Sequence, residues 1–119
     1  MAYGFAQRVV KGDPDDVFAE ARTAARGEGF GIGPVRRTRG FLRERFLPID
    51  DGRVGGRLWV WAIAPGLSVA YLGLRDSGAL AWLDLPLARK KLRLEAARFI
   101  EQVGEEPDPV QARYFRLAA

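Results

Sequence analysis

The alternation of apolar and polar positions changes period along the chain. Residues 3–10, "YGFAQRVV", are short and apolar, close on Val9-Val10, and predict a strand. Beyond them Val17, Phe18, Ala21, Ala24 and Ala25 fall on one helical stripe. Asp13 stands at the natural cap of that helix and Pro14 at its first position, while Asp15 and Asp16 meet the positive end of its dipole. Gly27 or Gly29 offers a left-handed stop. The glycines of "GFGIGP", 29–34, follow a helix and precede a strand. A phosphate-cradling loop has the opposite context, so they read as a connection.

After residue 35 the pattern becomes strands separated by turns. The strand segments are 35–47, 54–64, 67–74 and 79–84. Between them stand "DDG" (50–52), "PG" (65–66), with Pro and Gly at the central positions of a type II turn, and "DSG" (76–78). Such close spacing predicts an antiparallel meander. A second helix starts near Pro86, where Ala88, Leu92, Ala96, Phe99, Ile100 and Val103 make a stripe that Gly104 and the prolines of "EEPDP" end. The order β-α-β-β-β-β-α predicts an α+β fold, an antiparallel sheet of about five strands with both helices mainly on one face. One domain is expected over residues 1–104, with 105–119 as a C-terminal tail or arm.

That architecture makes the central strands conspicuous. In "RLWVWAIA", Trp59, Trp61 and Ile63 share one face, and Leu58, Val60, Ala62 and Ala64 the other. On the next strand Leu67, Val69 and Tyr71 share a face, against Ala70, Leu72 and Leu74. Both faces are therefore apolar, yet two helices with narrow stripes cover only one. Left bare, the two tryptophans and Ile63 would expose on the order of 500 Å², or about 10 kcal/mol of burial forgone. Monomers rarely expose such a patch. Trp59, Trp61, Ile63 and Tyr71 are thus candidate residues for an apolar ligand or an interface, and a homo-oligomer is expected. A core split between both faces, or the tail folding back, are the alternatives.

Charge adds a second surface. The chain of 119 residues carries a formal +4, with sixteen arginines among its nineteen basic residues. The excess lies in residues 35–57 (seven basic, three acidic) and 84–103 (five basic, three acidic). "VRRTRGFLRERF", 35–46, holds five arginines. On one continuous strand Arg37, Arg39, Phe41, Arg43 and Arg45 would share a side. Arg89, Lys90 and Lys91 sit in the first turns of the second helix, where cations oppose the dipole and an anion would offset the repulsion. Arg37, Arg39, Phe41, Arg43, Arg45, Arg89 and Lys90 are the candidates for a weak phosphate or nucleic-acid ligand, against the bland reading of a solvated charged face. Residues 39–46, "RGFLRERF", resemble the aromatic octapeptide of the RNA-recognition motif family at Arg39, Gly40, Phe41 and Phe46. Leu42, Arg43 and Glu44 depart from it, and the family has a helix where this chain continues with a strand. The resemblance covers eight residues and is not adopted.

The chain has no cysteine, histidine or asparagine, two serines and two threonines. Disulfides, thiolate chemistry, histidine acid–base catalysis and His/Cys zinc sites are excluded. The acid pairs Asp15-Asp16, Asp50-Asp51 and Glu105-Glu106 fall where helix starts and loops call for acids. No catalytic residue, metal or cofactor is assigned. No apolar run is long enough for a membrane span, and the N-terminus lacks the form of a secretion signal, so a cytoplasmic chain is expected. Arginine richness suits either a thermophile or a GC-rich genome. The expectation is a small bacterial-type, non-catalytic binding or assembly domain using an apolar sheet face. The alternatives are anion or nucleic-acid binding through the arginine-rich strand and, behind it, a carboxylate-dependent enzyme.

Overall fold

Strand β1 (Tyr3–Lys11) runs into helix α1 (Pro14–Gly27) through Gly12, whose φ of 119° turns the chain. The computed structural model describes residues 2–37, 45–76 and 86–110. Asp13 occupies the cap position of α1, but its side chain serves the tertiary fold: Oδ1 accepts the Gly66 N–H at 3.2 Å. Gly12 N–H donates to the Gly66 carbonyl (2.8 Å), and the buried Ser68 hydroxyl donates to the Gly12 carbonyl (2.8 Å). The β1–α1 corner is therefore tied to the Pro65-Gly66 turn. The helix buries Val17, Phe18, Ala21 and Ala25, and Gly29 (φ 82°) reverses the chain after it.

The sheet follows as β2 (Gly31–Ile32), β3 (Arg36–Arg37), β4 (Arg45–Asp50), β5 (Val54–Ala64) and β6 (Leu67–Asp76), and helix α2 (Pro86–Ile100) completes the described elements. Every pairing is antiparallel, in the order β1-β6-β5-β4-β2, with β3 also against β4. The fold is thus α+β, as the strand and helix pattern predicts. The meander β4-β5-β6 uses the expected turns. At Asp50–Val54 the carboxylates of Asp50 and Asp51 accept backbone N–H groups, and at Pro65-Gly66 the glycine takes φ 73°, as a type II turn requires. The expected strand 79–84, the end of the "DSG" turn and residues 111–119 lie outside the described residues.

Residues 35–47 do not form one strand. Arg36 pairs with Phe46 and Arg37 with Arg45, so the segment folds back on itself. The pairing extends to Ile32 opposite Ile49 and Gly31 opposite Asp50. By doubling back, residues 31–37 satisfy peptide groups on the second edge of β4 that a straight strand would leave open. Gly55 and Gly56 fall within the expected strand 54–64. They belong to β5, opposite Arg75 and Leu74.

Both helices pack on the sheet face built by Val10, Leu47, Ile49, Leu58, Val60, Ala70, Leu72 and Leu74, all buried. α2 contributes Leu92, Ala96, Phe99 and Ile100 and lies over β1 and β6; α1 contacts β2, β5 and β6. The two helix C-termini meet. Phe30 packs edge-on against Phe99 at 5.7 Å, and Glu28 accepts hydrogen bonds from Gln102 (2.9 Å) and Arg98 (3.3 Å). Arg8, on the helix side of β1, donates to the carbonyls of Ile100, Glu101 (2.6 Å) and Val103, so its charge answers the negative end of α2. Beyond Gly104 (φ 75°), Glu105 accepts the Lys11 N–H and returns the chain to β1.

Candidate functional site

With both helices on one side, alternation places a second set of residues on the other face. Register fixes which they are. Gln7, Tyr71, Trp59, Phe46 and Arg36 form one row across the sheet. Phe5, Gly73, Arg57 and Pro48 form the next, and Tyr3, Arg75, Gly55, Asp50 and Gly31 a third. On the far side of the first row Val9, Val69 and Trp61 form an apolar row.

The aromatic residues of these rows make two groups of ring contacts, joined through the strand pairing of Tyr71 with Trp59. The Tyr3 and Phe5 rings lie near-parallel with centroids 6.1 Å apart, Phe5 stacks on Tyr71 at 5.8 Å, and Phe46 tilts against Trp59 at 4.7 Å. Tyr3 and Phe5 are 47% and 51% exposed, Trp59 and Tyr71 are half-buried, and Phe46 is buried. Arg57 covers Phe46, its guanidinium 4.7 Å from the ring centroid, so the planar cation forms part of the surface in that ring's place. Arg36, Arg57 and Arg75 are all exposed.

Between the aromatic arc and the arginines runs a groove of about 810 Å³. Its depth comes from missing side chains. Gly73, Gly55 and Gly31 occupy positions on this face where any other residue would project into the groove. The Phe5 ring lies across Gly73, where a Cβ would sit 3.0 Å from the ring edge. The described lining carries three arginines and one carboxylate, Asp50, one oxygen of which accepts the Gly52 N–H. The groove can therefore present flat apolar surface beside positive charge, and among the described residues no three acids gather as a metal site.

Of the residues singled out by sequence, the structure brings Trp59 and Tyr71 into this groove. Trp61 and Ile63 are also half-buried, Trp61 in the adjoining apolar row and Ile63 at a bulge between Ala62 and Ala64 that leaves it without a ladder partner. Of the described arginine candidates, Arg37 and Arg45 are cross-strand partners on the helix side and stand apart from the groove. Arg45 pairs with Asp15 of α1 at 2.6 Å and lies over the Phe18 ring at 5.4 Å, on the helix side. Arg37 is exposed opposite Arg45, and Arg39, Phe41 and Arg43 lie outside the described residues. Arg89 and Lys90 are exposed on α2, away from the groove lining. Sequence reasoning missed Tyr3, Phe5, Arg36, Arg57 and Arg75. The odd-numbered alternation of Tyr3, Phe5, Gln7 and Val9 was the available signal, but only the pairing of β1 with β6 brings that alternation beside Tyr71.

The chain matches no protein-family model and no curated protein sequence.

Proposed function

We propose that this chain is a non-catalytic binding module whose site is the sheet face that neither described helix covers, and that the ligand combines a planar ring with negative charge. One observation carries the reading. Exposed Tyr3 and Phe5 continue into Tyr71 and Trp59 beside a groove edged by Arg36, Arg57 and Arg75. Aromatic rings exposed to water at this level mark interaction surfaces, and arginine both stacks and binds anions through a planar fork. The anion-binding role expected of the strand 35–47 moves to this face.

Anilinonaphthalene sulfonate, a fluorescent aromatic anion, is a direct probe. It is expected to bind the folded chain at one saturable site, and Arg57→Ser or Phe5→Ala to weaken binding about tenfold with the circular dichroism unchanged. Absence of saturable binding, or binding to both variants as tight as to the unsubstituted chain, sinks the assignment.

A second reading rests on the row Val9, Val69 and Trp61, which carries no charge and is half-buried. This end of the face suits self-association, most simply a two-fold dimer. Light scattering decides it: a monomer mass at all concentrations rejects the dimer without touching the groove. Among the described residues no helix is long and apolar enough to cross a membrane.

A further inference from the structure

We infer that the groove binds single-stranded nucleic acid, an inference that rests on the sheet face being the binding site. Three features of the face point the same way. The first is its charge: Arg36, Arg57 and Arg75 answer to Asp50 alone among the described lining residues, and Asp50 already accepts a turn N–H. A second copy docked on the groove would set exposed arginines against exposed arginines, whereas a polyanion is complementary to them.

The second feature is length. Arg75 lies on β6, Arg57 on β5 and Arg36 on β3, each displaced along the sheet from the last. Three strand spacings and four residues of strand rise separate Arg75 from Arg36, roughly 20 Å at standard sheet dimensions. A mononucleotide cannot span this Cα-to-Cα distance. A chain of roughly three to six nucleotides can, with phosphates along the arginine diagonal.

The third feature is the opposite wall. Tyr3, Phe5 and Tyr71 form a run of neighbouring rings with spacings of 6.1 and 5.8 Å, beside Trp59. Base faces are apolar and planar, and such rings stack on them without regard to sequence. A duplex hides its base faces and offers only phosphates to the same wall. Aromatic arc and arginine diagonal together therefore select a single strand.

The test is fluorescence anisotropy of a labelled eight-nucleotide oligo-uridylate and oligo-thymidylate, with a duplex of equal length alongside. The single strands are expected to bind at about 50 mM salt, at least tenfold tighter than the duplex. Three phosphate contacts predict a slope of about −2 in log affinity against log salt, and neutralising Arg57 by Ser should reduce it by about 0.7. Phe5→Ala should weaken binding roughly tenfold or more while leaving the salt slope unchanged, because a stacked base carries no counterion. Binding of anilinonaphthalene sulfonate without binding of either oligonucleotide would overturn the nucleic-acid inference and leave the groove assignment standing. Failure of both probes would overturn both. Equal affinity for duplex and single strand, or an unchanged slope in Arg57→Ser, would also reject the inference. A concentration-dependent dimer that excludes the sulfonate probe would give the face to a second copy instead.

Discussion

A methyl group on Gly4 would overlap the backbone of Leu92 and Arg93 and the side chain of Leu92. Nothing about Gly4 in the sequence separates it from an ordinary weak point in a strand, yet β1 and α2 meet there backbone to backbone. Side chains adjust by changing rotamer, whereas a clash with a helix backbone has to move the helix. Gly4→Ala is accordingly expected to destabilise the chain by about 3 kcal/mol, seen as a lower urea midpoint with little change in slope. A loss below about 1 kcal/mol would mean that α2 shifts freely over β1. Gly73 differs, because its close neighbour is the Phe5 ring, the mobile end of an exposed side chain. Substitution there alters the groove before it alters stability.

Among the elements, the β4–β5 turn shows how local chemistry closes a hairpin. Asp51 Oδ1 accepts the N–H groups of Arg53 (2.8 Å) and Val54 (2.6 Å), and Asp51 N–H donates to the Val54 carbonyl at 3.0 Å. Partial burial works to raise the carboxyl pKa. The backbone N–H groups of Val54 and Arg53, aided by the Arg53 charge, outweigh it and hold the pKa below its ordinary value of 3.8. A depressed folded-state pKa means that the ionised carboxylate stabilises the fold above the ordinary value, and that this contribution is lost as pH falls through the lowered one. Asp51 is exposed, so solvent keeps the effect small. Asp51→Asn keeps an acceptor oxygen but cannot ionise. It is expected to be a few tenths of a kcal/mol less stable than wild type at pH 7, the gap closing in acid as the pH falls through the lowered pKa, below the ordinary 3.8. Urea unfolding at pH 7 and in acid checks this, and a gap that widens on acidification would contradict it. The "DDG" signal sufficed to predict this turn because its hydrogen bonds all lie within five residues.

For the molecule as a whole, the decisive fact is which face each charge reaches. Arg45 and Arg57 both carry exposed or partly exposed guanidinium groups beside an aromatic ring. Arg45 lies on the helix side with Asp15, and Arg57 on the groove side with the other two arginines. Arg45→Gln is expected to cost about 0.5–1 kcal/mol of stability, the range of a surface ion pair, and to leave affinity for anilinonaphthalene sulfonate unchanged within a factor of two. A tenfold loss of probe affinity in that variant would return anion binding to the arginine-rich segment.

Periodicity by itself determined the α+β class, both helices with their buried stripes, the limits of β5 at 54 and 64, and the turns at 50–52 and 65–66. These depend on neighbours within a few residues, where hydrophobic spacing, glycine and proline act directly. It also sorted Leu58 and Val60 from Trp59 and Trp61, because strand geometry alternates faces wherever the strand lies. Tertiary pairing decided the rest. Only the fold-back of 31–37 on 45–50 sets Arg36 beside Phe46 at the groove edge and Arg37 beside Arg45 on the helix side. Only the placement of β1 beside β6 sets Phe5 against Tyr71 across more than sixty residues of chain. Strand partners are chosen by the total burial and hydrogen bonding of the sheet, a long-range sum that no local pattern contains.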